Sequence, residues 1–312
     1  MNRVPTIAGK KPEMGKSKQQ LMQRAIEKAD VRGLQTLLAQ GADPNGILDD
    51  GHVPLVAAVS TDDERIVAAL IDAGANPRHR NQLGMTALQY ASSPKVAALL
   101  VAAGADVNAT DNYGGNPLSS VASNGDATTV KWLLSQGARE GSSDSEGNNS
   151  LHRACLEANP RIVAALLEGG ADPSARNKNG VTPLLYVAGE KGKPGVEIIN
   201  LLLKAGADPN AQMVDGCFPL YEAATEGSPA AVEALLAGGA LIDLDEGCGE
   251  TALAAAVYSS RANTAAALLK AGANPQARIS LTHEDPNRRG KSVLELATDS
   301  RSAAIRALFK SR

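Results

Sequence analysis

Residues 180–210 read GVTPLLYVAGEKGKPGVEIINLLLKAGADPN, and the fold turns on why this stretch keeps coming back. Its last five residues also stand at 41–45. Near copies follow as GANPR at 74–78, GADVN at 104–108, GADPS at 170–174 and GANPQ at 272–276. Before these copies lie runs such as LQTLLAQGA, VAALLVAAGA, IVAALLEGGA and VEALLAGGA, whose apolar residues keep the i, i+3, i+4 spacing of a helix face. Gly two residues past the Leu-Leu pair is where a left-handed cap ends a helix. Pro soon after keeps it from resuming.

A second glycine opens each period, at Gly51, Gly84, Gly114, Gly147, Gly180, Gly216, Gly249 and Gly290. The spacings are 33, 30, 33, 33, 36, 33 and 41 residues. GMTALQYA, GVTPLLYVA, GCFPLYEAA and GETALAAAV each read as a short first helix, with Pro suited to its first turn. Ser93-Pro94, Asn159-Pro160 and Ser228-Pro229 pair a cap residue with Pro at the start of second helices, and Asp30 and Asp126 are caps elsewhere. Ser17 and Gln20 form a capping-box pattern ahead of a stripe of Leu21, Ala25 and Ile26. These signals predict an all-α chain of helix pairs. A pair cannot bury its apolar face alone, so pairs must stack on their neighbours.

The totals agree. The chain has 312 residues, 43% hydrophobic but only 3% aromatic, so the apolar content is mostly small and aliphatic. Net charge is −3, with Arg3, Lys10, Lys11, Lys16 and Lys18 against Glu13 at the start and a body of −7. An acidic body disfavours nucleic acid, whose binding rests on cations against phosphate. Cys155, Cys217 and Cys248 are odd in number and far apart, which predicts free thiols rather than a disulfide framework. No run approaches 18 apolar residues, so no membrane span is expected.

The period, with G-x-T-P-L-x-x-A followed by L-L-x-x-G-A-D, resembles the ankyrin repeat. The resemblance covers residues 18–312 as a single repeat domain, in nine units starting near 18, 51, 84, 114, 147, 180, 216, 249 and 290. It implies an all-α solenoid in which each unit is a hairpin-like turn and two antiparallel helices. Residues 1–17 are expected to be a flexible basic tail. Three departures stand out: a loss of three residues at YASSPKV, a gain of three at GEKGKPG, and a gain of eight within RISLTHEDPNRR. The His that often follows T-P-L in the family is present only as His152. Val56, Gln89, Ser119, Leu185, Tyr221, Ala254 and Glu295 stand in its place. The Thr–His hydrogen-bond network is therefore expected to be weak or absent, and the unit at 84–113 to be the weak point. Trp132 aligns with Ala and Leu positions and is expected in the core.

The resemblance also implies where a partner would sit: on the turn residues beside the second Gly and on the end of the first helix, lining a concave groove. Here those places hold Asp49, Asp50 and His52, Leu83 and Met85, and Asn112 and Tyr113. Farther along come Glu146, Asn148 and Leu156, Lys178 and Val181, Met213, Val214, Cys217 and Glu226, and finally Tyr258. Turn tips are polar by default, so Leu83, Met85, Tyr113, Leu156, Val181, Met213 and Val214, ringed by acids, read as a surface for a protein partner. The expected function is non-catalytic binding of that partner by a chain that is a monomer when unbound, cytoplasmic, and without cofactor or metal. Alternatives are a secreted effector exported without a signal peptide, and a small-molecule binder or enzyme using the loop at 279–289. GKKPEMGKS at 9–17 has five residues between its glycines where a phosphate loop has four, and reads as tail and helix cap. His152 and Cys155 are too few ligands for structural zinc.

Overall fold

The computed structural model describes residues 17–141, 144–245, 250–281, 283 and 285–310. The sequence readings of the tail through residue 16, of Cys248 and of the unit start at Gly249 lie outside that set. The chain divides into two compact units, residues 1–106 and 107–312.

In the first unit α1 (Lys18–Glu27) pairs with α2 (Val31–Ala39), and α3 (Pro54–Val59) with α4 (Glu64–Asp72). A four-residue 3-10 turn, Ala87–Tyr90, pairs with α5 (Pro94–Ala102). Ser17 and Gln20 make the reciprocal cap of α1, with each backbone N–H served at 3.1 Å by the other side chain. Met22, rather than Leu21, joins Ala25 and Ile26 in burying the face of α1. The three-residue loss at YASSPKV is taken up by the first helix of its repeat, which shrinks to the 3-10 turn, while α5 keeps its nine residues.

The second unit holds six pairs: α6 (Pro117–Asn124) with α7 (Ala127–Ser135), α8 (Ser150–Leu156) with α9 (Pro160–Glu168), and α10 (Pro183–Ala188) with α11 (Lys193–Lys204). Next are α12 (Pro219–Glu226) with α13 (Pro229–Ala237), α14 (Ala252–Tyr258) with α15 (Ala262–Lys270), and α16 (Val293–Asp299) with α17 (Ala303–Phe309). First helices touch first helices, α6 through α16, and second helices touch second helices, α7 through α17. This makes a two-layer stack. Among the described residues there is no strand, only isolated bridges at Asp245–Thr251 and Arg278–Ser292.

The core lies between the layers. Leu118, Leu151, Leu184, Leu220 and Leu253, one in each first helix from α6 to α14, are fully buried. Leu133, Leu166, Leu202, Leu235 and Leu268 answer them from the second helices. Removing such a leucine from an interior costs about 2–5 kcal/mol. Asp126, Asn159 and Ser228 cap their second helices as the sequence predicts, and Gly137, Gly170, Gly206, Gly239 and Gly272 end them at positive φ. Trp132 is half-buried and is not part of this core.

The expected loss of the Thr–His network needs correction. The residue at the His position reaches back to the N-cap amide in four repeats: Gln89 to Thr86 at 2.9 Å, Ser119 to Asn116 at 2.9 Å, His152 to Asn149 at 3.3 Å and Glu295 to Ser292 at 2.7 Å. Any acceptor of suitable length serves that local bond. His152 also spans repeats, its Nε2 meeting the Val181 carbonyl at 3.0 Å. Burial holds this imidazole below its ordinary pKa. A neutral ring can donate to only one of its two oxygen neighbours, the Val181 carbonyl at Nε2 and the Asn149 side chain at Nδ1, 2.6 Å away.

A second cross-repeat bond comes from the last residue of the GADPN loop. Asn210 donates to the Gly239 carbonyl at 3.3 Å and accepts the Leu241 N–H at 2.8 Å. Asn108 does the same with Gly137 and Arg139 at 3.0 and 2.8 Å. In the first unit Asn45 does so with Gly74 and Asn76 at 3.0 and 2.7 Å. Gly141 and Ser174 hold the same place in the intervening repeats, with side chains too short to span to the next loop.

Candidate functional site

Each turn is built the same way. The backbone N–H of its first residue closes on the carbonyl four residues later: Asp111 to Gly115 at 2.8 Å, Asp144 to Asn148 at 2.9 Å and Asn177 to Val181 at 3.0 Å. Met213 to Cys217, at 2.9 Å, and Asn81 to Met85, at 3.0 Å, follow suit. Where the first residue is Asp or Asn, its side-chain oxygen also accepts the N–H groups two and four residues on. These bonds are 2.8 and 2.9 Å from Tyr113 and Gly115 to Asp111, and 2.9 and 3.0 Å from Leu83 and Met85 to Asn81. The fourth residue is the recurring glycine at positive φ, 90° at Gly114 and 75° at Gly180, where a side chain would be strained. The turn thus spends its polar groups on itself and pushes the residue at its tip outward.

In the second unit adjacent tips are joined through their backbones. Lys178 N–H donates to the Glu146 carbonyl at 3.1 Å and Val214 N–H to Asn179 at 3.0 Å. The Gln212 side chain continues the series to the Asp245 carbonyl at 2.8 Å. Tyr186 hydroxyl, Asn148 and Asn177 form a further bridge behind the tips at 3.0 Å per bond.

Against this frame the residues nominated from the sequence separate. In the second unit Tyr113, Leu156, Val214 and Tyr258 are exposed, at 59, 55, 79 and 58%. Asn112, Glu146, Lys178 and Glu226 are exposed beside them, and Glu226 lies 3.5 Å from Lys191. In the first unit Leu83, Asp49 and Asp50 are exposed, and His52 sits 3.5 Å from Asp50. Three apolar nominees differ from the expectation of exposure: Met85, Val181 and Met213 are half-buried, and each contributes a backbone bond to its turn. Asn148 is half-buried in the tyrosine bridge. Cys217 is buried, its thiol 3.1 Å from a Glu222 carboxylate oxygen, so it presents no contact surface.

Sequence reading missed other exposed apolar side chains. Leu241, 59% exposed, replaces the Asp of GAD, a substitution visible in the alignment of copies. Leu281, 78% exposed, stands on the inserted segment after α15, which has no counterpart to compare. That segment is fastened by a buried cluster. Glu250, 2% exposed, meets His283 Nε2 at 2.9 Å and Arg288 Nη1 at 2.5 Å. The Arg288 guanidinium lies 3.2 Å from the centre of the Tyr258 ring and 3.4 Å from Asp285. A carboxylate out of water needs such partners. The cluster fixes both the insertion and the Tyr258 ring at the end of α14.

His152 and Cys155 bind no metal in this arrangement: both His nitrogens are engaged, and burial pushes the Cys155 thiol far up from its ordinary value. Among the described residues no three His, Cys, Asp or Glu side chains are grouped to hold a metal ion, and no helix is long and apolar enough to cross a membrane.

The stacked helix pairs, the self-satisfied turns and their outward tips define a tandem-repeat scaffold. The family profile described as Ankyrin repeats (3 copies) matches residues 21–111, 92–177, 118–213, 184–279 and 220–312, and the chain belongs to the ankyrin repeat family. It is similar to human SH3 and multiple ankyrin repeat domains protein 2, at 32% identity over 180 residues, covering 56% of this chain and 10% of that protein. It is also similar to a mitochondrial disaggregase of Bos taurus, at 34% over 140 residues, 42% of this chain and 20% of that one. The chain thus spans a fifth or less of these relatives. The crystal structure of the ankyrin repeat domain of Bcl-3, described as a unique member of the IkappaB protein family, superposes with a TM-score of 0.58 at 24% identity. That superposition covers 72% of this chain and all of that domain, and shows the shared fold.

Proposed function

We propose that the chain is a non-catalytic binding protein that recognises a protein partner through the turn tips and first-helix ends of its second unit. The observation that carries this reading is the set of exposed apolar side chains at Tyr113, Leu156, Val214 and Tyr258 on a frame whose own polar groups are already satisfied. Large apolar groups held outward lose little entropy on binding and gain area from a partner. Glu146, Glu157, Glu190 and Glu226 surround them, so the matching surface is apolar with basic residues at its rim. Asn112, Lys178, and the half-buried Met213, Val181 and Asn148 are assigned to the edges of the contact. Leu83, Met85, Asp49, Asp50 and His52 form a separate, smaller contact on the first unit.

A non-catalytic role is supported by the state of the most buried ionisable cluster. The Glu250 carboxylate is paired with both His283 and Arg288, so its oxygens are engaged within the cluster. Action in the cytoplasm is part of the same reading. The test is quantitative capture from native cell extract with the wild-type chain and with a Leu156→Asp, Val214→Asp, Tyr258→Asp variant of matched melting temperature. A partner set retained by wild type and lost by the variant is expected. Identical sets would overturn the assignment.

A further inference from the structure

The three residues gained at GEKGKPG do not merely lengthen a loop. They add a turn to the start of α11, which runs for 12 residues where α9 and α13 have 9. The lengthened helix forms one wall of an open groove of about 570 Å³ on the second-helix layer. Along α11 the groove is lined by Lys193, Val196, Glu197, Leu201 and Lys204, which recur every three or four residues and so share a helix face. Ala230, near the start of α13, supplies the other wall. Its small side chain is what leaves the space open.

The walls are mostly carbon, from Val196, Leu201, Ala230 and the lysine stems, which cover apolar surface while their charged ends reach water. Lys193 and Lys204 stand at the two ends of the line, both exposed and neither in an ion pair among the described residues. Lys191, at the same end as Lys193, is already met by Glu226 at 3.5 Å. Glu197 lies between the two unpaired cations and offers an acceptor at mid-groove. The pattern is positive at each end and apolar between, with Glu197 and Asn200 as the polar groups at mid-groove.

We propose that this groove docks a short acidic segment of a partner protein, bound in extended form. It would place two or three apolar side chains on the floor, a carboxylate at each end, and a backbone N–H toward Glu197. Charge selects this occupant. The chain's own start carries Arg3, Lys10, Lys11 and Lys16 against Glu13 and has the same sign as the rim, which disfavours it. Length agrees as well. Eleven helical steps from Lys193 to Lys204 cover roughly 16 Å. Seven extended residues span about 20 Å with alternate side chains on one face. The flexible lysines close the difference. This site is separate from the turn tips, and its test leaves them unaltered.

The probe is a dye-labelled heptapeptide with aspartate at its first and last positions and leucine at its third and fifth. A control carries lysine at both ends. Fluorescence anisotropy with the full chain is expected to show saturable binding of the acidic peptide and at least tenfold weaker binding of the control. A Lys193→Glu, Lys204→Glu double variant should reverse that preference. Ala230→Trp, at an exposed helical position, should fill the groove and abolish binding of the acidic peptide with the circular dichroism spectrum unchanged. Equal binding of both peptides, no binding at millimolar peptide, or indifference to Ala230→Trp would overturn the proposal. So would binding to phosphatidylserine vesicles without binding to the acidic peptide, which would make the groove a lipid-surface contact.

Discussion

Two repeats depart from the common length at the same place, the hairpin between their helices, in opposite directions. The repeat opening at Gly84 lost three residues, and its first helix collapsed to a 3-10 turn. The repeat opening at Gly180 gained three, and its second helix grew by about one turn. In both, the junction from the second helix into the GA loop is unchanged, with glycine at positive φ at Gly104 and at Gly206. Stacking on the neighbours fixes that junction, so length changes are pushed to the side where solvent accepts them. A shortened repeat loses helix; a lengthened one gains a new surface. The third length change, after α15, lies at a turn tip instead, and there the extra chain needed the Glu250 cluster to hold it down.

That contrast orders what substitutions should do. The largest effect is expected at Glu250→Ala, which strands Arg288 and His283 in the interior and should cost about 3–5 kcal/mol. Thermal denaturation measures the loss. Limited proteolysis should then cut within 285–290, whereas wild type resists. Next is the comparison of His152→Ala with Gln89→Ala. Both break a local cap, and the first also breaks the bond from His152 to the Val181 carbonyl in the next repeat. His152→Ala should cost about 2–3 kcal/mol against about 1 for Gln89→Ala. Equal losses in denaturant midpoints would show that the bond to Val181 contributes nothing.

Smaller and opposite in sign is Ser174→Asn, which restores the cross-repeat side chain that Asn108 and Asn210 supply in other loops. It should gain about 0.5–1 kcal/mol in the same denaturation assay. Also opposite in sign, and dependent on pH, is Glu140→Gln. Glu140 accepts the Leu151 N–H at 3.1 Å, and its other oxygen is buried without a partner. Burial pushes its carboxyl up to about 7 against the pull of Leu151 and Ser150. A raised folded-state pKa means that its stabilisation is fully present below the unfolded value, near 4.5, and is lost as pH rises through about 7. The melting temperature of Glu140→Gln should therefore match wild type near pH 4 and exceed it at pH 8. A pH-independent difference would contradict the burial of this carboxylate.

Much of the scaffold was legible because its signals repeat. The glycine after each Leu-Leu pair, the Ser-Pro and Asn-Pro starts and the buried leucines of the first helices α6 to α14 need only local chemistry to be read. The places of the length changes were legible too, as misfits to the period. The candidate surface was read in part. Tyr113, Leu156, Val214 and Tyr258 stand where turn and helix geometry send them. Cys217, Met85, Val181 and Met213 could not be judged, since alternate turn residues face opposite ways and burial depends on the neighbouring repeat. The Glu250, His283 and Arg288 cluster joins residues 33 and 38 positions apart, inside an insertion with no second copy to compare. Periodicity carries no information about such a contact.

The most direct measurement is hydrogen exchange across the full chain, free and in complex with the protein it captures from native extract. The account predicts slowed exchange at the turn tips 111–115, 144–148, 177–181 and 213–217 and at the ends of α8 and α14. The exposed faces of α7, α9 and α15 should be unchanged. Protection centred on those second helices, with the tips exchanging as in the free chain, would contradict it.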